Sequence, residues 1–300
     1  MKRFADVDAF ITGGSSGIGR ALALALAGQG AHVHLAARRE GPLDEALEAV
    51  GRARLNTAQR CSAHPLDVTD GEQVRAVFNQ LAAEGAPPQV VINCAGAVAQ
   101  QLALDAALAH APGYFDTTPP EVYRRLVEIN YLGAVHVCRA AAPHLRRGAH
   151  LVNVASGAVI LPVPGYAAYV GSKCALVGFS EVLRYEMRPR GVRVSVAYPE
   201  DTDTPQLRAE RETRAREINV IAALSSVMSA ERAAQLILRG VRRGAFHIPL
   251  GTDTALIFHL LRPMEWVKFR VMDAILAVSR RRAAYGGGSA GGPRRPVEDE

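Results

Sequence analysis

Thr12-Gly13-Gly14-Ser15-Ser16-Gly17-Ile18-Gly19 follows the apolar run Ala9-Phe10-Ile11 and opens a helical pattern over residues 21–29. Strand, glycine turn and helix in that order make the phosphate-binding start of a dinucleotide fold. Gly13, Gly17 and Gly19 leave room for backbone to approach a pyrophosphate, and the helix beyond presents N–H groups and the positive end of its dipole. Ser15 and Ser16 add hydroxyl donors, and Ile18 lies between the last two glycines of the same turn. Glycine-rich turns also close strand–helix units that bind nothing, so the reading needs the rest of the chain.

That support is periodic. Apolar β-like runs recur at residues 9–12, 32–36, 90–93, 150–154 and 192–197, and helical patterns fall between them at 43–50, 72–83, 121–141 and 167–187, with Pro120 and Pro189 as boundaries. The alternation predicts one α/β domain over residues 1–250, a Rossmann-type doubly wound parallel sheet with helices on both faces. Residues 251–283 read as a helical extension. From about residue 286 the chain is too rich in Gly, Pro and Arg to bury a core, which predicts a disordered tail over 284–300.

The extension contains two runs of large apolar residues, 255–261 and 264–278. Neither spans a bilayer, which takes about 20 consecutive apolar residues, because Arg262, Pro263, Glu265, Lys268, Arg270 and Asp273 interrupt. With Trp266 inside and Arg280 to Arg282 after it, residues 255–282 suit a peripheral contact with a membrane surface or a lid over an acyl tunnel. An amphipathic helix packed on the domain or on a second subunit fits the pattern equally well.

The net charge of +6 comes from arginines dispersed along the chain without interleaved aromatics, which argues against nucleic acid. Cys61, Cys94, Cys138 and Cys174 form no C-x-x-C pair and follow no secretory leader, so a cytoplasmic location is expected. None of the nine histidines has a ligand spacing. His32 and His34 alternate as on an exposed strand face, and no metal is expected.

After the second strand run, where an NAD-selective fold often carries an acid, the chain reads Ala36-Ala37-Arg38-Arg39. A guanidinium grips a 2′-phosphate with two parallel hydrogen bonds, so NADPH is expected over NADH. Two solvated loop arginines are the plain alternative. Asp67 and Val68, and Asn93-Cys94-Ala95-Gly96, fall where later strand ends would meet the adenine and ribose.

Tyr169 and Lys173 are four residues apart, one turn along a helix, with Ser156 thirteen residues upstream. A free phenol has a pKa of about 10; a nearby ammonium is expected to lower it toward the working pH and make Tyr169 the proton donor. Ser156 would hydrogen-bond a carbonyl oxygen as hydride from a nicotinamide puts charge on it. Tyr166, Tyr185 and Tyr198 have no lysine four residues on, and Lys173 is one of only three lysines.

Taken together, the glycine turn, Asn93-Cys94-Ala95-Gly96, Asn130, Ser156 and Tyr169-x-x-x-Lys173 resemble the short-chain dehydrogenase/reductase family over about residues 7–205. The resemblance implies an NADP-dependent oxidoreductase and a homo-oligomer. It further implies Asn130 as the asparagine that anchors a water chain resupplying protons through Lys173, and Pro199, Thr202 and Thr204 beside the nicotinamide or diphosphate. The segment from Tyr198 to Pro205, in which Glu200 stands where most of the family has glycine, is similar to that of 3-ketodihydrosphingosine reductases. So are Asn130-Tyr131-Leu132-Gly133 and Ala168-Tyr169 with Ser172-Lys173. That likeness implies NADPH-dependent reduction of the 3-oxo group of 3-oxosphinganine to sphinganine. Another hydrophobic carbonyl, such as a 3-oxoacyl thioester or a steroid, and a catalytically silent NADPH-binding role stand as alternatives. Residues 97–120, alanine-rich over 103–111, are longer than the usual family connection and read as a helix at the site's rim or a tolerated surface insertion.

Overall fold

Strands β1 (Asp8–Thr12), β2 (His32–Ala37), β3 (Cys61–Pro65), β4 (Val90–Asn93), β5 (His150–Val154) and β6 (Arg193–Tyr198) arise where short apolar runs are bounded by turns. The structure is a computed structural model that describes residues 4–98, 102, 114–211, 227–261, 270 and 274. Two short strands, β7 (Thr202–Asp203) and β8 (Met228–Ser229), pair with each other, and β9 (His247–Pro249) closes the main sheet. The seven-stranded order is β3-β2-β1-β4-β5-β6-β9, parallel throughout, and it reverses direction between β1 and β4. A ligand crevice opens at the carboxyl ends of strands where such an order reverses.

Helices α1 (Gly17–Ala27), α2 (Glu40–Ala53), α3 (Gly71–Ala83), α4 (Pro120–Val127), α5 (Gly133–Ala141), α6 (Ala167–Met187), α7 (Pro205–Arg211), α8 (Ala230–Arg243) and α9 (Thr252–Leu261) follow in chain order. Successive residues of a strand face opposite sides of the sheet. Ile11, Leu35 and Ile92 therefore pack beneath Leu22, Leu26, Ile237 and Val241, while Phe10 and Val91 pack on the other face with Phe78, Val137 and Leu183. Helices on both faces explain why the central strands are apolar without alternation.

Six elements escaped the sequence reading: β3, β7, β8, β9, α7 and α8. β3 is an edge strand whose five residues, Cys-Ser-Ala-His-Pro, are mostly half-buried and polar, so it has no apolar period. β9, on the other edge, has three residues. α8 carries a clear stripe of Ala233, Ala234, Ile237, Leu238 and Val241, a Ser229 cap accepting from Arg232 N, and Gly244 at φ 69° at its end. The single helix expected over 121–141 is instead α4 and α5 joined by a π-helical turn, Glu128–Leu132. The apolar run 255–261 falls within α9. The alanine-rich 103–111, the tail 284–300 and most of 264–278 lie outside the described residues. Among the described residues no helix is long and apolar enough to cross a membrane.

The expected exposed face of His32 and His34 is corrected in part. His34 is buried, its Nε2 3.0 Å from Asp8 Oδ1 and its Nδ1 2.7 Å from Ser62 Oγ, and Ser62 Oγ lies 2.8 Å from His64 Nε2. Asp8 holds this chain from one end and takes both hydrogen bonds of Arg60 at the other. The strand alternation misled because a satisfied polar chain can occupy an inner face.

His150, fully buried in β5, shares one hydrogen bond of 2.7 Å with Ser195 Oγ. Ser195 spends its proton on Ala245 O, so His150 Nε2 is the donor and Nδ1 is left bare, without a partner. Burial holds His150 down at about 3 and His64 at about 4, against 6.5 unfolded. Between those values only the unfolded chain takes the protons. The stability they confer is therefore complete above pH 6.5 and drains as pH falls toward 4, by up to about 1.4 kcal/mol per pH unit for His150 and by less for the partly exposed His64, which water screens. His150→Gln keeps a donor for Ser195 but cannot titrate. Its Tm, followed from pH 7 to pH 4, should fall less steeply than that of the parent; parallel curves would refute the assignment.

Candidate active site

The cleft begins where β1 ends. Thr12 Oγ1, buried, accepts the N–H groups of Cys94 and Ala95, each at 3.1 Å, and so ties the end of β1 to the turn after β4. Gly13 follows at φ +66°, and a Cβ there would lie 2.9 Å from Ala95 N. A Cβ on Gly19 would lie 2.2 Å from Gly13 O. Only glycine fits either place. α1 starts at Gly17 behind Ser16, whose side chain makes no capping hydrogen bond, so the first-turn N–H groups stay available to an anion.

Arg38 and Arg39 lie exposed at the end of β2 and line the same cleft. Beyond β3, Asp67 Oδ1 accepts from Thr69 N at 2.9 Å and Thr69 Oγ1 at 2.8 Å. Burial pushes its carboxyl up, but Thr69 and the charges of Arg38 and Arg125 outweigh it and hold the pKa below the ordinary value. Val68 packs on Gly133, where a Cβ would come within 2.6 Å of it.

Every site residue read from the sequence lines one cleft of about 690 Å³ except Asn93 and Asn130. The Asn93 amide donates to Asn153 Oδ1 at 2.8 Å, within the sheet and away from the cleft. Asn130 sits on the π turn, its Oδ1 accepting Ala97 N at 2.8 Å and its Nδ2 donating to Ala97 O at 2.9 Å and Ser172 Oγ at 3.0 Å. Ser172 in turn donates to Tyr169 O at 2.7 Å. The asparagine side chain thus fastens the β4 turn to the first turns of α6, one shell behind the cleft.

Ser156 follows β5, and α6 brings up Tyr169 and Lys173. Lys173 Nζ donates to Val154 O at 2.9 Å and stands 6.0 Å from the centre of the Tyr169 ring. Burial lowers the Lys173 ammonium to about 8, partly opposed by Cys94. The Tyr169 side chain is half-buried in the cleft wall. Burial raises the phenol, the Ser156 hydroxyl bonded to it pulls the other way, and Asp201 and Cys94 add to the rise. The acidified phenol expected from the four-residue spacing is not found: the net shift is upward, because desolvation by burial is the largest effect. The phenol is a neutral acid.

The last wall comes after β6, where Pro199, Glu200, Asp201, Thr202 and Thr204 line the cleft. Glu200 Oε1 accepts Thr254 N of α9 at 2.9 Å. The contributions of Thr12, Cys94, Ser172, Asp201 and Thr254 escaped the sequence reading, since each depends on contacts between distant segments. Among the other tyrosines, Tyr185 is surface-exposed, Tyr198 bonds His247 Nδ1 at 2.9 Å, and Tyr166 lines the cleft with its ring 5.8 Å from that of Tyr169.

A family model described as short chain dehydrogenase matches residues 8–215. The chain belongs to the short-chain dehydrogenase family. It is 36% identical over 246 residues to a 3-ketodihydrosphingosine reductase of Bos taurus, an alignment covering 81% of this chain and 70% of that one. A 3-ketodihydrosphingosine reductase of Dictyostelium discoideum is 28% identical over 283 residues, 89% of this chain and 81% of its own. Among solved structures, a dehydrogenase/reductase from Sinorhizobium meliloti 1021 has a TM-score of 0.68 and 26% identity, covering 83% of this chain and 96% of that one.

The glycine contacts yield a direct test. Gly19→Ala must displace the Gly13 carbonyl, so NADPH affinity in a fluorescence titration should fall roughly tenfold or more, about 1.4 kcal/mol, with the far-UV spectrum unchanged. Parent-like titration would show that the turn does not hold the nucleotide.

Proposed function

We propose that this chain is an NADPH-dependent reductase that converts the 3-oxo group of 3-oxosphinganine, a long-chain α-amino ketone, to the alcohol of sphinganine in sphingolipid synthesis. The observation that carries the reading is the meeting of Ser156, Tyr169 and Lys173 with the glycine turn in one cleft. The choice of substrate is supported by the 3-ketodihydrosphingosine reductases among the relatives.

The cleft fits a dinucleotide: it has a turn where only glycine fits, an uncapped helix start, and two exposed arginines at the end of β2. Gly13, Ser15, Ser16, Gly17, Ile18 and Gly19 would hold the diphosphate, Arg38 and Arg39 the 2′-phosphate, and Asp67 and Val68 the adenine side. Ala95, Gly96, Pro199, Thr202 and Thr204 would hold the nicotinamide side with Tyr169 and Lys173. NADPH supplies the hydride. Ser156 donates a hydrogen bond to the ketone oxygen and holds it beside the phenol. Tyr169, kept neutral by its surroundings, gives its proton to that oxygen as the alkoxide forms. Lys173 then lies near enough to steady the phenolate left behind. Asn130 acts through Ala97 and Ser172, as the positioning residue that sets both the β4 turn and the Tyr169 backbone; any water chain it anchors would start from this frame.

We further propose a cytoplasmic homo-oligomer joined through α4, α5 and α6, supported by the exposed Val127, Leu132, Val182 and Tyr185. Leu256 and Leu260, exposed and four residues apart on α9, support a peripheral contact of residues 255–282 with the cytoplasmic face of a membrane. Residues 1–250 would form the catalytic domain, 251–283 the helical extension and 284–300 a disordered tail.

NADPH oxidation with 3-oxosphinganine, set against acetoacetyl thioester and steroid ketones, tests the substrate; reduction of a thioester alone would sink it. Tyr169→Phe deletes the proton donor and keeps the ring, so kcat should drop about a hundredfold or more while NADPH titrates as in the parent. An undiminished rate would refute the mechanism. Arg38→Ala should raise the NADPH Kd by about tenfold or more, the worth of a charge-assisted hydrogen bond, and leave the NADH Kd nearly unchanged. Equal losses would remove Arg38 from the phosphate site.

A further inference from the structure

Next to the catalytic cleft lies a second cavity of about 370 Å³, between the loop after β5 and the segment before α4. Its walls include Phe115, Pro162, Val163, Tyr166 and Val170, and every lining residue is apolar or aromatic. Val163 and Tyr166 line both cavities, so the two meet along one wall. Tyr166 is buried, and its ring stands 5.8 Å from that of Tyr169. The groove is therefore one aromatic ring away from the proton donor. At its rim Phe115 is 80% exposed, the most exposed of the large hydrophobic side chains among the described residues.

We propose that this groove takes the hydrocarbon tail of the substrate, running past Val163 and Tyr166 while the ketone stays at Ser156 and Tyr169. The proposal rests on the reading that the substrate is a long-chain ketone. Adjacency to the cleft argues for it: a tail attached at the reacting carbonyl must leave the site somewhere, and on the far side of Val163 and Tyr166 the groove offers apolar walls without a charged group. The apolar surface of Phe115 would be covered by the same tail. Affinity then comes from burying methylenes, each worth up to about fourfold in binding.

The test is a series of α-amino ketones of increasing tail length, assayed by NADPH oxidation. kcat/KM should climb with each added methylene, by at most about fourfold, and level off once the groove is filled. Phe115→Asp, a surface substitution, and Val163→Asp should flatten the climb and raise KM for the longest substrate about tenfold or more, with a much smaller change in kcat. An unaltered climb in both variants overturns the proposal. An unaltered climb with a shift in oligomeric mass for Phe115→Asp would likewise overturn it and give the groove to a second copy of the chain. If the parent reduces only 3-oxoacyl thioesters, the substrate assignment fails, and the tail dependence is read on thioesters of graded length, where the same two outcomes decide.

Discussion

The close approach of the backbone turns after β1 and β4 is the constraint on which the site depends. Two parallel strands whose crossovers leave in opposite directions open a crevice at their carboxyl ends, and here Thr12 closes its floor by accepting both Cys94 and Ala95 N–H groups. Gly13 then passes so near Ala95 that no side chain fits between them. The first turn of α1 is thereby directed into the crevice. The same β4 turn continues to Ala97, which Asn130 holds by two hydrogen bonds. Through Ser172 that contact reaches the Tyr169 backbone. The glycine turn and Tyr169 thus share one hydrogen-bonded frame, and the π turn at Asn130 places its amide within reach of both sides.

Within that frame, burial and charge compete, and burial wins. An ammonium one helical turn from a phenol would acidify it if the two faced each other in the open. Here Lys173 Nζ is bound to Val154 O and stands 6.0 Å from the ring centre, and both side chains line the cleft. Desolvation raises the phenol and lowers the ammonium, so each is pushed toward its neutral form. A raised phenol pKa keeps the proton on Tyr169 but makes it a weaker acid, so in the proposed mechanism donation waits for the strongly basic alkoxide. The cost falls on the phenolate that remains, and Ser156 and Lys173 are the groups near enough to offset it.

The sequence shows the nucleotide half of the fold clearly because its signals are local. Thr12 to Gly19 declares a turn, and the apolar runs at β1, β2, β4, β5 and β6 declare central strands that helices cover on both sides. Edge strands lack that signal: β3 has one protected flank, and its Ser62 and His64 are half-buried in a polar chain that no hydropathy pattern reveals. The residues proposed as catalytic were legible by type and spacing, but their electrostatics were not, since the burial that shifts both pKa values is set by segments distant in sequence. Asn93 shows the converse. Its neighbours Ala95 and Gly96 line the cleft, and its own amide is turned back to Asn153 by the alternation of the strand.

Glu200 shows how one residue joins the C-terminal region to this frame. Its carboxylate accepts the Thr254 N–H in the first turn of α9, where unpaired N–H groups and the helix dipole favour a negative charge. Gly251, at φ +83°, lets it approach so closely that a Cβ would lie 2.4 Å from Glu200 Oε1. Thr202 Oγ1 donates to the Glu200 carbonyl, and Pro199 O accepts from Gly157 N beside Ser156. The contacts run from Ser156 through the β6 loop to α9, and Phe258 then seats the helix against Tyr198 and His247. A glycine at position 200 would remove the carboxylate that accepts the Thr254 N–H. With glutamate there, Thr254 is held in the cleft wall, and the start of α9 becomes part of the cleft's lining.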